Sequence, residues 1–419
     1  MNPDHRVAIV GQGYVGLPIA MAAVEAGLTV IAVENDPRRL ADLSCGKSYV
    51  ESVSNEQLAA ATATGAYQPV DALTTEMRFD VAVVAVPTPL GADGAPDLSA
   101  LQAAARMVGT AMRPGCLVTV ESTSYPGTTE DVVVPILNDA SGSTAGRDFH
   151  VVFSPERINP GSMWTVGKIP KLVGGIDSES TARACRFYEK FVDEVVPLQG
   201  TREAELAKLI ENTFRFVNIA LVNEMAAVFA DSGIDLLESL RGAATKPFGY
   251  LPFSPGPGIG GHCLPVDVVY LTWYIRTALG RTLRTAEAAV SANADTPLQV
   301  VDRIGEVLAA QDRKVNGARI VLLGLSYKPN IGDIRNSASV VVACELSDRG
   351  AVVQAIDPHV DPTLPELAAL PVIPLTPESL RTADVVALLV HHDSFDADQI
   401  RQEATLLLDF TAQRTEANT

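Results

Sequence analysis

Short apolar runs alternate with longer helix-like stretches through the first part of the chain. Arg6-Val-Ala-Ile-Val10 ends at Gly11, and helical sequence continues from Tyr14 to Gly27. Leu28-Thr-Val-Ile-Ala-Val33 is a second strand, followed by acidic Glu34. Asp80-Val-Ala-Val-Val-Ala-Val86 and Cys116-Leu-Val-Thr-Val-Glu121 are two further buried strands with a helical segment between them. Continuous apolar strands alternating with helices predict a parallel sheet covered on both faces. Proline and glycine cluster just beyond these strands, at Pro87-Thr88-Pro89 and Pro126-Gly127. Open α/β sheets hold their ligands at such carboxyl ends.

The pattern changes at Thr201. From there to about Ala230 the chain predicts one long helix without Pro or Gly, with Leu206, Leu209, Phe216 and Ile219 at helical spacing. A glycine-rich loop follows, then a helical stretch from roughly Val266 to Ala310. The α/β pattern restarts at Arg319–Leu325, Ala351–Ile356 and Asp384–Val390, without a second Gly-x-Gly-x-x-Gly. The expected architecture is α/β: two Rossmann-like doubly wound domains joined by a long central helix. Its divisions are 1–200, 201–310 and 311–419, with a frayed tail over Ala412–Thr419.

Length and charge narrow the partners. A chain of 419 residues holds two or three domains, each able to bury its own core. With 32 Lys plus Arg against 50 Asp plus Glu, the net charge is -18, which argues against nucleic acid and anionic membrane surfaces as partners. No apolar run reaches membrane-spanning length, and the strand at Val7 is not preceded by a signal-like leader, so a soluble cytoplasmic protein is expected. Five scattered cysteines, none with Cys-x-x-Cys spacing, predict neither a disulfide framework nor a zinc site. His391-His-Asp393 and Asp357-Pro-His359 each lack a third or fourth ligand, so they are expected in surface loops and no metal is expected.

Two motifs carry chemistry by themselves. Gly11-Gln-Gly13-Tyr14-Val15-Gly16 follows a strand and opens a helix, as a phosphate-binding turn does. Glu34, at the end of the second strand, is positioned for an adenosine ribose and favours NAD over NADP, although Arg38 and Arg39 nearby supply charges of the opposite preference. Cys263 ends a loop containing Gly256, Gly258, Gly260 and Gly261, a composition that packing alone does not justify. A thiol there points to covalent capture of an aldehyde, and hence to oxidation carried through to the acid. The adjacent His262 is expected to be structural. Lys208 and Asn212, four apart, share a helix face and can stabilise an oxyanion, but a solvated pair is the plainer expectation. Asp267, four residues past Cys263, can act as or orient a base, and Glu156, between prolines in a polar loop, can activate water.

The motifs also occur together in a recognisable order. Gly11-x-Gly-Tyr-Val-Gly-Leu-Pro18, Val86-Pro-Thr-Pro89, Glu121-Ser-Thr-Ser-Tyr-Pro-Gly-Thr128 and Ser154-Pro-Glu156 come first. Lys208-Leu-Ile-Glu-Asn212, Gly260-Gly-His-Cys263 and Tyr327-Lys-Pro-x-x-x-Asp333-x-Arg335 follow. Over nearly its whole length the chain resembles the UDP-glucose/GDP-mannose dehydrogenase family of nucleotide-sugar 6-dehydrogenases. The resemblance implies Cys263 as nucleophile, Lys208 and Asn212 as oxyanion stabilisers, and Asp267 as support for the base or water. It implies Thr123 beside the reacting carbon and Glu156 in the hydrolytic steps. NAD contacts are implied at Gly11, Gly13, Tyr14, Val15, Gly16, Glu34, Arg39, Pro87, Thr88, Thr123 and Arg335. UDP-sugar contacts are implied at Glu156, Arg157, Lys208, Asn212, Lys246, Phe253, Gly260, Tyr327 and Lys328. A homodimer built through the long central helix is implied as well. Lys246–Gly258 is most similar to bacterial UDP-N-acetylglucosamine 6-dehydrogenases. The chain departs from the family pattern at Val268, where Pro is usual, and at Asn336, where Glu is usual.

The expected reaction is a four-electron, NAD-dependent oxidation of a UDP-hexose at C6, with UDP-N-acetylglucosamine as the leading substrate. UDP-glucose and UDP-N-acetylmannosamine are the alternatives. A two-electron β-hydroxyacid dehydrogenase, which needs no Cys, and a non-catalytic nucleotide-binding protein are the competing classes.

Overall fold

The computed structural model describes residues 6–158 and 165–411. Asn159, Pro160 and Gly161 of the Glu156 loop and the Ala412–Thr419 tail lie outside the described residues. The chain divides into two compact units, Met1–Glu211 and Asn212–Thr419.

The first unit is built on eight strands: β1 (Arg6–Val10), β2 (Thr29–Val33), β3 (Tyr67–Val70), β4 (Val81–Val84), β5 (Leu117–Val120), β6 (His150–Phe153), β7 (Lys171–Gly175) and β8 (Val195–Pro197). They line up in the order β3-β2-β1-β4-β5-β6-β7-β8. All neighbours are parallel except β6 and β7, an antiparallel pair that the apolar pattern does not reveal. Helices α1 (Gly16–Glu25), α2 (Pro37–Ser44), α3 (Asn55–Ala63), α4 (Ser99–Ala111), α5 (Val134–Ser141) and α6 (Ser178–Tyr188) connect the strands. Side chains alternate across each strand. Val7 and Ile9 therefore join Leu17, Ala20 and Met21 of α1 in one core, while Ala8 and Val10 join Leu101, Ala105 and Val108 of α4 in the other. β1, β2, β4 and β5 are buried on both faces, which is why they read as nearly unbroken apolar runs, whereas the half-exposed β3 and β8 do not. Each buried Val or Ile contributes roughly 1.5–3 kcal/mol.

The long helix α7 (Thr201–Phe229) matches the predicted span, and the division between the units falls within it. In the second unit come α8 (Leu236–Ala244), α9 (Leu264–Leu279) and α10 (Arg284–Ala309). The single helical stretch expected over Val266–Ala310 is therefore two helices. Gly280 ends α9 in the left-handed conformation at φ 61, which stops helical propagation. A parallel sheet in the order β10-β9-β11-β12 follows, from β9 (Arg319–Leu323), β10 (Val352–Ile356), β11 (Val385–Leu388) and β12 (Leu407–Asp409). Helices α11 (Ala338–Asp348), α12 (Pro377–Arg381) and α13 (Ala397–Glu403) accompany it. Its strand order reverses between β9 and β11, where Gly324, at φ 87, lets the chain pass against Val390.

The Asp357–His359 and His391–Asp393 segments are loops after β10 and β11 with His359 and Asp393 exposed, as expected, but two of their side chains turn inward. They bury Asp357 and His392 against each other at 3.0 Å, with both side chains inaccessible. The pairing satisfies polar groups that burial would otherwise penalise. His392 Nδ1 accepts from the Asn330 amide at 3.0 Å, so Nε2 carries the proton and donates to Asp357. Asp357 also accepts from the amides of Leu325, Ser326, His359 and Val360. Among the described residues no group of three or more His, Cys, Asp or Glu is arranged to hold a metal ion.

Burial raises the Asp357 carboxyl, but His392 and the amide donors outweigh it and hold the group at about 2. A depressed carboxyl contributes stability that is present above its unfolded value and lost as pH falls through its folded value. Asp357→Asn is expected to lose about 2 kcal/mol of stability at neutral pH. Thermal melts should show the gap from the parent closing between about pH 4 and about pH 2.

Candidate functional site

The first unit's strand order reverses between β1 and β4, and the glycine turn lies at that point. Gly11 adopts φ 93, and a Cβ there would meet the Ala85 carbonyl oxygen at 2.5 Å. A Cβ on Gly16 would stand 1.8 Å from the Gly11 oxygen, so helix and turn close only around glycine. Gly13 differs, since nothing lies within 4 Å of its missing Cβ. The residue is small where the protein leaves space for something else. Helix α1, with Val15 as its N-cap residue, has no side-chain cap and no acidic residue in its first turn, leaving its amide dipoles to an anion. These residues fit a dinucleotide pyrophosphate. Tyr14 is exposed and Val15 half-buried at the same turn.

Glu34 is buried at the end of β2 and accepts from the Asp36 amide at 3.0 Å and the Gln12 amide at 3.4 Å. Tyr49, which the sequence reading missed, donates to the Gln12 carbonyl at 2.8 Å and lies 3.4 Å from Glu34 Oε2. Burial, then the Glu34 charge, holds its phenol protonated. The Arg39 guanidinium packs over the Tyr49 ring at 5.2 Å. Buried Gln12 is clamped by the Ile9 carbonyl and Tyr67. Motif spacing gives no hint of either tyrosine, because both reach Gln12 across the fold.

Thr88 and Thr123 come together at the ends of β4 and β5, with Thr88 Oγ1 donating to the Thr123 carbonyl at 2.7 Å; Pro87 beside them is exposed. Glu156 and Lys208 are both buried, contrary to the exposed expectation for a polar loop and a solvated helical pair. Lys208 Nζ donates to the Glu156 carbonyl at 2.6 Å and lies 3.8 Å from its Oε2. Burial is tolerated because each charge has the other. Arg157 pairs with Glu211 at 2.8 Å and donates to the Pro170 carbonyl.

In the second unit Asn212 is buried and its side-chain amide donates to Asp267, itself 2% exposed. Cys263 is the N-cap residue of α9 and is exposed, while Asp267 lies in that helix's first turn and its amide donates to the Cys263 carbonyl at 2.8 Å. The glycine loop is held by three asparagines that the sequence reading assigned no role in holding it. Asn223 accepts from Gly256, Asn293 accepts from Ile259, and Asn336 donates to the Gly261 carbonyl at 3.0 Å. Asn336 has φ 51, a conformation asparagine tolerates better than most side chains.

The same loop packs on the Tyr327–Arg335 motif: a Cβ on Gly261 would meet the Tyr327 ring at 2.7 Å, and one on Gly260 would meet the Asn336 oxygen at 2.6 Å. Arg335 forms a bidentate pair with Asp333, and Lys328 stacks over Tyr327 at 5.7 Å. Phe253 stacks edge-on to Phe214, and exposed Lys246 lies over Phe248. His262 is half-buried; burial first, and Arg335 second, lower its imidazole below the ordinary value and keep it neutral.

Comparison with known proteins supplies the family. Residues 5–192 match the UDP-glucose/GDP-mannose dehydrogenase family, NAD binding domain; residues 202–295 match its central domain and 321–412 its UDP binding domain. The protein is an NAD-dependent oxidoreductase acting on nucleotide sugars. It belongs to the UDP-glucose/GDP-mannose dehydrogenase family. It is 31% identical over 412 residues to UDP-N-acetyl-D-mannosamine dehydrogenase of Escherichia coli (strain K12), covering 95% of this chain and 96% of that protein. Identity to UDP-N-acetyl-D-glucosamine 6-dehydrogenase of Pseudomonas aeruginosa is 34% over 406 residues, covering 95% and 94%. A solved UDP-D-ManNAc dehydrogenase from Pyrococcus horikoshii superposes with a TM-score of 0.87 at 29% identity, covering 97% of this chain and 95% of that one.

The glycines separate folding from cofactor binding. Gly13→Val is expected to melt within a few degrees of the parent but to lose NAD affinity by at least about tenfold, as read by fluorescence titration. Gly16→Ala, which forces a clash with backbone, should instead lower the melting temperature itself.

Proposed function

We propose that this protein oxidises the C6 alcohol of UDP-N-acetylglucosamine to the uronate. The observation that carries the four-electron oxidation is the exposed Cys263 thiol at the N-terminus of α9, with the Asn212–Asp267 pair one turn away, and the choice of hexose rests on the 34% identity to the Pseudomonas aeruginosa UDP-N-acetyl-D-glucosamine 6-dehydrogenase. Bound NAD supplies the hydride acceptor for two successive oxidations. Lys208 and Asn212 stabilise the alkoxide left when the C6 hydroxyl loses its proton, and Thr123 lies beside the reacting carbon. The Cys263 thiolate adds to the resulting aldehyde and forms a thiohemiacetal, whose oxygen Lys208 and Asn212 would again stabilise. Loss of the second hydride leaves a thioester on Cys263. Water, activated by Glu156 and supported by Asp267, breaks the carbon–sulfur bond; the acid leaves and the thiol is regenerated. One sugar and one water thus consume two NAD⁺.

The reading assigns residues 1–200 to NAD, 201–310 to the central helix and catalytic loop, and 311–419 to the UDP-sugar, with Arg157, Lys246, Phe253, Gly260, Tyr327 and Lys328 as sugar-nucleotide contacts and Arg335 as a cofactor contact. UDP-N-acetylmannosamine is the second reading, favoured by the names of the Escherichia coli and Pyrococcus relatives. No helix among the described residues is long and apolar enough to cross a membrane. The net charge of -18 supports a reading without nucleic acid, and the need for NAD and a UDP-sugar supports a cytoplasmic site of action. Leu206, Ile210, Phe214, Leu221 and Val228 form an exposed apolar stripe along α7, the face on which we propose a homodimer.

Incubation with NAD⁺ and, separately, UDP-N-acetylglucosamine, UDP-N-acetylmannosamine, UDP-glucose and UDP-galactose tests the reaction. Two NADH per UDP-N-acetylglucosamine are expected; one NADH per sugar, or turnover of another sugar alone, refutes the reading. Cys263→Ala should lower acid formation by at least about a thousandfold while NAD affinity stays within about twofold. Phe214→Glu combined with Leu221→Glu should convert a dimer to a monomer in light scattering, and an unchanged dimer would exclude this face of α7.

A further inference from the structure

A second buried lysine, Lys171, holds the backbone beside Glu156. Lys171, the first residue of β7, places Nζ 2.5 Å from Glu121 Oε2 and 3.4 Å from the Pro155 carbonyl. Its ammonium also lies over the Tyr188 ring at 5.1 Å. Glu121 stands just beyond β5 with its side chain fully inaccessible, and its other oxygen accepts from Tyr188 at 2.6 Å. Tyr188 is in turn 2.8 Å from Thr119 Oγ1. Both carboxylate oxygens thus have partners, and the lysine has two acceptors and a ring face. Such a network is stiff because each broken bond leaves a buried charge unpaired.

Stability alone does not explain the pair. Replacing a buried ion pair by apolar groups of similar volume is often neutral or stabilising, so its main physical consequence here is geometric. Glu121 stands two residues before Thr123, and Pro155 directly precedes Glu156. The pair therefore ties the ends of β5 and β6 to each other through β7 and α6. Two successive carbonyls, Pro155 and Glu156, are each held by a buried ammonium, Lys171 and Lys208. A cavity of about 20 Å³, room for a single water, is lined by Glu156, Arg157, Pro170 and Lys171 among others.

We propose that Lys171 and Glu121 are positioning residues for the hydrolytic half of the reaction. They hold the Pro155–Glu156 backbone so that the Glu156 carboxylate meets the attacking water. The inference rests on the assignment of Glu156 to hydrolysis. Breaking the pair slows cleavage of the carbon–sulfur bond on Cys263 more than it slows either hydride loss.

The test compares Lys171→Met, the double variant Lys171→Met/Glu121→Gln, Lys171→Arg and Glu156→Gln with the parent, using whichever of UDP-N-acetylglucosamine and UDP-N-acetylmannosamine gives turnover. The double variant leaves no unpaired buried charge and covers the case in which Lys171→Met fails to fold. Expected are a pre-steady-state NADH burst within about threefold of the parent, a steady-state kcat lower by at least about tenfold, and a covalent sugar adduct on Cys263 in the intact mass of the quenched enzyme. Lys171→Arg should recover part of kcat. Burst and kcat falling together, or kcat unchanged, overturns the positioning role. An adduct in Glu156→Gln but not in the Lys171 variants overturns this inference alone. No adduct in Glu156→Gln overturns the assignment of Glu156 and the inference with it.

Discussion

A buried carboxylate is tolerated only when donors surround it, and that requirement organises the carboxyl edges of both sheets. Glu34, Glu121, Glu156 and Asp357 all stand just beyond strands and are all buried. Each draws a different loop inward. Glu34 gathers the Asp36 and Gln12 amides, Glu121 takes Lys171 and Tyr188, and Glu156 takes Lys208. Asp357 collects four amides and His392. Loop shapes at the edges where ligands are handled therefore follow from satisfying charge rather than from packing apolar surface.

Glycine supplies the complementary constraint. Backbone passes so close to backbone at Gly11–Gly16 and at Gly260–Gly261 that a Cβ would collide with a carbonyl oxygen or a tyrosine ring. One turn thereby presents free amide dipoles to a pyrophosphate. The other carries a thiol to a helix N-terminus and locks it against the Tyr327–Arg335 motif. Close backbone packing at glycine thus shapes both the dinucleotide turn and the loop that carries the candidate nucleophile.

The cores of both units were legible because periodicity reports burial directly. Strands buried on both faces read as unbroken Val, Ala and Ile runs, and α7 was bounded to within a residue. The stretch after Cys263 was read as one helix because a single glycine weakens a helical pattern without identifying a stop; the left-handed Gly280 ends it. The Asp357 and His392 loops were read as exposed because polar composition cannot distinguish a solvated group from one satisfied internally.

By itself the sequence determined the family and the dinucleotide turn, because motif order and spacing are local information, and the family resemblance singled out the candidate catalytic side chains. Only the tertiary structure decided that Lys208 and Glu156 are a buried pair, and that Tyr49 joins Glu34. The same holds for the three asparagines that clamp the glycine loop and for Lys171 beneath the Glu156 loop. Each of these contacts joins residues from separate parts of the chain, and the desolvation that gives it weight exists only once the chain has closed around it.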